Sequence, residues 1–142
     1  MKLKILILFV ILGCTQKKIK LKELPGYWEI DFIKKYNEKY TPKPSILQYD
    51  HYEIKNYKGI MNKVELTIDG TYVTSNDYSS FVLEKVNDNY FINFKTKWDK
   101  WKRKIKYLDN KKMVLENNNF EYHYKRPLVK NEQWNQKRNL RH

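Results

Sequence analysis

Apolar and polar residues alternate with period two along most of this chain. "YWEIDFIK" puts Trp28, Ile30 and Phe32 on one face and Glu29 and Asp31 on the other. The pattern returns in "YDHYEIKN" from Tyr49, "IMNKVELTI" from Ile60, "TYVTS" from Thr71 and "SSFVLEKV" from Ser79. It continues through "YFINFK" from Tyr90, "WKRKIKYL" from Trp101, "KMVLEN" from Lys112 and "FEYHYKR" from Phe120. Such alternation predicts half-buried strands. The breaks fall at Lys58-Gly59, Asp69-Gly70, Asn87-Asp88-Asn89, Asp109-Asn110 and Asn117-Asn118-Asn119, residue types that accept the left-handed backbone of tight hairpins. Turn signals about ten residues apart predict an all-β, antiparallel meander of about eight strands, closed as a barrel or sandwich. Tyr36 to Ser45, with Pro42 and Pro44, reads as a loop holding a short helical turn.

The first residues follow another rule. Lys2 and Lys4 precede an unbroken apolar run, Ile5 to Leu12, followed by Gly13 and Cys14, the sole cysteine. The run is far shorter than the about 20 residues needed to span a bilayer. A basic start and short apolar core describe a signal peptide, here a helix over 1–13. Ile11-Leu12-Gly13-Cys14 resembles the lipobox of bacterial lipoproteins. That resemblance implies cleavage before Cys14 and acyl chains, palmitate among them, on the cysteine as a membrane anchor. Two or three chains hold firmly, whereas one binds marginally. Residues 14–23 then form a lipidated polar tether, 24–127 a single domain, and 128–142 a basic tail, disordered or loosely helical. "QKK" after Thr15 lacks acidic residues, which inclines the expectation to an outer-membrane protein facing the periplasm.

Gly26-Tyr27-Trp28 opens the first strand, and Arg126 ends the last strand on the face of Tyr122 and Tyr124. This G-x-W with a terminal arginine resembles lipocalins and the small lipocalin-like domains of bacterial lipoproteins. The resemblance implies an up-and-down barrel in which Arg126 lies against Trp28, a favourable cation–π contact. Asn76-Asp77-Tyr78 is similar to the family's Thr-Asp-Tyr motif.

The formal net charge is +13, yet only four of the 29 basic residues are Arg. Phosphate and base recognition favour the planar arginine fork, so no nucleic-acid partner is expected. Alanine is absent while Lys, Asn, Ile and Tyr abound, which fits an AT-rich coding bias. The densest basic stretch, "KTKWDKWKRKIK" from Lys95 to Lys106, reads either as a strand with an outward lysine face or as a stripe for anionic lipid or a polyanionic glycan.

Catalytic sets are not evident. Glu29 and Asp31, roughly 6.5–7 Å apart on a strand, match the carboxylate separation of inverting glycosidases, but a solvated strand face gives the same pattern. His51 and His123 lack a third ligand, so no metal or cofactor is expected. The predicted inward set is Trp28, Ile30, Phe32, Val82, Tyr90, Ile92, Phe94, Ile105, Leu115, Tyr122 and Tyr124. It is bulky enough to exclude a deep lumen and leaves a narrow, tyrosine-rimmed pocket at one mouth, with Tyr90, Tyr122, Tyr124 and Trp101 as candidate ligand contacts. The expectation is a lipid-anchored, non-enzymatic envelope protein binding a small hydrophobic or anionic amphipathic ligand. The alternative is an envelope assembly scaffold with a packed, ligand-free barrel.

Overall fold

The computed structural model describes residues 19–43, 47–67 and 71–127. The leader helix, Cys14, the start of the tether, the Asp69-Gly70 turn and the tail from Leu128 lie outside the described residues.

Among the described residues nine strands run in chain order: β1 Gly26–Lys35, β2 Glu38–Tyr40, β3 Leu47–Lys55, β4 Lys58–Leu66, β5 Tyr72–Val86, β6 Asn89–Lys95, β7 Lys100–Leu108, β8 Lys112–Asn117 and β9 Phe120–Lys125. All neighbouring strands pair antiparallel, and β1 also pairs with β9, which closes β1 and β3–β9 into an eight-stranded up-and-down barrel. Closure removes the open edges on which sheets aggregate. β2 is the supernumerary strand, pairing Glu38 to Tyr40 with the last residues of β1. A strand thus stands where a loop with a helical turn was expected. The residues predicted as "TYVTS" and "SSFVLEKV" are one fifteen-residue strand, β5.

The turns follow local chemistry. Asn56-Tyr57 and Asn87-Asp88 take positive φ at both central residues, the mirror-image turn that suits strand twist. Gly59 is not a turn glycine. It lies in β4, where a Cβ would run into the Glu53 carbonyl and sit 2.6 Å from the Phe81 ring. After β7, the Asp109 carboxylate accepts the N–H groups of Lys111 and Lys112 at 2.8 and 2.7 Å.

One end of the barrel is plugged. Ile19 makes a parallel bridge to Leu108, and a 3-10 turn at Leu21–Glu23 crosses beneath the strands. Leu24 and Trp28 are fully buried there, and the Trp28 indole N–H donates to the Leu24 carbonyl at 2.8 Å. Above them the core is dense, with Ile92, Ile105, Leu108, Met113 and Leu115 fully or nearly fully excluded from water.

Two inward expectations fail. β1 carries a bulge between Ile30 and Phe32, so Phe32 pairs with His123, not Tyr122, and faces outward. Ile33 takes the inward phase opposite Tyr122. In β5 the core takes Phe81 and Leu83, leaving Val82 45% exposed. Either parity of "FVLEKV" offers apolar residues, and the larger pair is inside.

Candidate functional site

The end opposite the 3-10 turn opens into a cleft of about 420 Å³, lined by residues of β3, β4, β5 and β7 and by Thr96 of the β6–β7 turn. Its apolar wall is Met61 and Trp101, and the Trp101 ring stacks on Phe94 at 5.1 Å. Phe94 in turn touches Phe81 at 5.9 Å, and Phe81 meets Tyr52 edge-on at 5.7 Å. This aromatic row fills the barrel below the cleft.

The cleft's floor is charged, and alternation explains how. Asp50 is in phase with Tyr52 and Ile54, which turn inward on β3. Arg103 is in phase with Trp101 and Ile105 on β7, so it points inward while Lys100, Lys102 and Lys104 point out. Lys63, the cross-strand partner of Asp50, closes an ion pair with its Oδ1. The Tyr124 hydroxyl donates to Asp50 Oδ2 at 3.1 Å and receives Arg103 Nη1 at 3.1 Å. The guanidinium also lies 4.3 Å from the Tyr122 ring centroid.

This network is unevenly satisfied. Lys63 and the Tyr124 hydroxyl occupy the Asp50 carboxylate. The Arg103 guanidinium faces no carboxylate among its described contacts, and its buried Nε has no hydrogen-bond partner. The buried Tyr52 hydroxyl also lacks a partner. Burial works against the Arg103 charge, but the oxygens of Tyr124, Tyr52 and Tyr122 outweigh it and hold the guanidinium cationic. Burial, then the charge of Asp50, push the Tyr124 hydroxyl far above the ordinary tyrosine range. Burial does the same to Tyr52, with Tyr124 and Asp50 adding to it.

The candidate residues divide. Of the four, Trp101 alone lines the cleft; Tyr124 and Tyr122 lie behind the lining, Tyr124 bonded to Asp50 and Tyr122 packed under Arg103. Tyr90 is not in the cleft; it pairs with Ile105 toward the plugged end and carries Lys85 over its ring at 5.6 Å. Asp77 and Tyr78 of the Asn76-Asp77-Tyr78 motif lie on the cleft wall. Asp50, Lys63 and Arg103 were absent from the sequence candidates.

At the plugged end Arg126 lies across Trp28, its guanidinium carbon 3.6 Å from the indole centroid. Its nitrogens reach the carbonyls of Tyr27 at 3.0 Å, Pro25 at 3.1 Å and Glu23. Gly26, at φ +106°, admits this approach, since a Cβ there would meet Nη1 at 3.0 Å. Glu29 and Asp31 bind Lys125 at 4.0 and 3.1 Å on the outer surface. His51 stacks on Tyr27 and His123 on Phe32, each at 4.1 Å. Among the described residues no cluster of three or more His, Cys, Asp or Glu could hold a metal ion.

No family model matches the chain, and no curated protein matches it significantly. Among solved structures it is similar to a lipocalin-like protein from Bacteroides uniformis at 12% identity, over 74% of this chain and 99% of that one, with a TM-score of 0.47. Apocrustacyanin C2 is similar at 13% identity over 83% and 68% of the two chains, TM-score 0.48. Insecticyanin from the tobacco hornworm Manduca sexta is similar at 13% identity over 87% and 73%, TM-score 0.45. The closed up-and-down barrel, the segment beneath it and the Trp28–Arg126 contact give this chain a lipocalin-like fold.

Proposed function

We propose that this chain is a lipid-anchored lipoprotein of the bacterial cell envelope whose barrel holds a small amphipathic ligand by an anionic head. The observation that carries the reading is Arg103, a cation inside the barrel with an unpartnered Nε, on the floor of the cleft. A buried guanidinium without a carboxylate is costly, and a carboxylate or phosphate matches its fork. Met61 and Trp101 offer an apolar wall for the ligand's body. The cleft volume suits one acyl-chain end or one ring system, within the range of small-molecule sites. Asp77 stands exposed at the rim, so attraction for an anion lies at depth.

The test is titration with a fluorescent fatty acid and its neutral alcohol analogue, with mass spectrometry of lipid extracted from the purified protein. Arg103→Gln should weaken the acid roughly 10- to 100-fold, the worth of a charged hydrogen bond, and leave the alcohol nearly unchanged. The filled barrel below Phe94 favours a second reading, a packed scaffold. An absence of bound lipid and of saturable binding would select it.

The anchor rests on the lipobox-like Ile11-Leu12-Gly13-Cys14, and the periplasm-facing outer-membrane location on the residues after it. Cys14→Ser should yield an unprocessed or soluble form. Removal of the protein by protease on whole cells would count against a periplasmic face.

A further inference from the structure

The rim of the open end carries a second kind of surface. Trp98, in the β6–β7 turn, is 85% exposed. Tyr36 and Tyr40, on the β1–β2 hairpin, are 67% and 64% exposed, and Phe120, at the start of β9, is 36% exposed. These turns belong to the same end. Phe120 pairs with Lys35 at the top of β1, and Asn119 Nδ2 donates to the Tyr36 hydroxyl at 2.7 Å. β7 starts from the β6–β7 turn and reaches the plugged end at Leu108. The barrel order β6-β7-β8-β9-β1-β2 therefore sets the three tips side by side along one arc.

Lysines accompany these aromatics. Lys97 lies over the Trp98 ring at 4.7 Å and Lys35 over Phe120 at 4.9 Å. Lys34, Lys39, Lys95 and Lys100 are exposed on the same strand ends, against Glu38 and Asp99. Exposed aromatics at short turns and strand ends, amid excess lysine, are the arrangement of an interfacial anchor. Indole and phenol rings sit at headgroup depth, and ammonium groups meet lipid phosphates.

We propose that this arc docks the open end of the barrel onto an anionic lipid bilayer. The occupant follows from charge complementarity and from the shape of the surface. Exposed rings spaced over three successive turns suit a deformable interface, whereas a rigid protein partner needs a continuous complementary patch. The inference stands apart from the ligand reading, since none of the arc's aromatics lines the cleft.

The experiment reconstitutes the full chain through its N-terminal segment into phosphatidylcholine vesicles and adds a second, labelled population containing phosphatidylglycerol. Clustering is read by energy transfer. Flotation with the first vesicles reads the N-terminal attachment separately; if the chain stays soluble, co-sedimentation with the anionic vesicles replaces clustering. The expected result is capture of anionic but not neutral vesicles. Lys35→Glu and Lys97→Glu should each weaken it at least roughly fivefold, the contribution of one basic residue near an anionic surface. Trp98→Ser and Tyr36→Ser should weaken it with charge unchanged, and circular dichroism should show all four variants folded at the assay temperature. Undiminished capture by the fourfold variant would assign binding to the basic tail beyond Pro127 and overturn the proposal. Equal capture of neutral vesicles, or preference for a soluble polyanionic glycan, would overturn it as well.

Discussion

Arg126 covers the Trp28 indole at 3.6 Å while its nitrogens hold three backbone carbonyls of the segment that plugs the barrel. The two side chains thus share one structural task. Trp28→Ala should destabilise by about 3–5 kcal/mol, as large core truncations do. Arg126→Ala should lose about 2 kcal/mol through the cation–π contact and the charged hydrogen bonds. A double-mutant cycle in urea should reveal coupling of about 0.5–3 kcal/mol. Additive effects would mean that the plug forms without their contact.

Two buried tyrosine hydroxyls should answer oppositely to deletion. Tyr52 has no partner for its hydroxyl, so Tyr52→Phe should be neutral or stabilising by up to about 1 kcal/mol. Tyr124 joins Asp50 to Arg103, and Tyr124→Phe should destabilise by about 1–3 kcal/mol by leaving Arg103 Nη1 and Asp50 Oδ2 without this partner, while Lys63 stays on Oδ1. Chemical denaturation of the two variants checks the contrast, and equal losses would contradict the network.

The same tyrosines set an alkaline limit. Their folded-state values lie above the ordinary tyrosine range, through burial first and then through Tyr124 and Asp50 around Tyr52 and Asp50 beside Tyr124. Below about pH 10 both are protonated, folded or unfolded, and their contribution is fully present. Above it the unfolded chain releases protons that the folded chain retains, so stability falls as pH rises. Melts above pH 10, followed at 295 nm, should show these two phenols ionising only with unfolding. Ionisation of every tyrosine in the native state would refute their burial.

Parity in β5 is open to direct measurement. Phe81→Ala should destabilise by about 3–5 kcal/mol, while Val82→Ser should stay within about 0.5 kcal/mol. Gly59→Ala should destabilise by at least about 1–3 kcal/mol through overpacking against the Glu53 carbonyl and the Phe81 ring. A larger loss at Val82 than at Phe81 would reverse the assignment.

The meander was legible because alternation and Asn/Asp turns act locally, and Asn87-Asp88 turns where its sequence says. Phe32 was misplaced because the bulge at Asp31 shifts phase, and nothing in "EIDFI" announces it. β5 was read as two strands because the apolar alternation lapses between Ser75 and Ser79; Asn76, Asp77 and Tyr78 are an exposed stretch of one strand. Arg103 was hidden by company. Within a run of lysines it reads as one more surface charge, yet its phase with Trp101 and Ile105 carried the signal. Asp50 likewise kept step with Tyr52 and Ile54. Fold is written in averages over many positions, whereas the site depends on single charged residues in apolar phase.

The bridge from Ile19 to Leu108 gives the molecule a direction. The chain arrives at the plugged end, so whatever is fastened to its N-terminal side is fastened there. From Cys14 to Ile19 an extended chain reaches roughly 17 Å. The nine residues of β7, tilted as barrel strands are, carry the opposite rim roughly 20–25 Å further. A barrel moored at Cys14 would be held by its plugged end, with its mouth at the end away from the mooring. Exchange through that mouth would then face the space between two surfaces, and the moored leaflet would be the one it serves least.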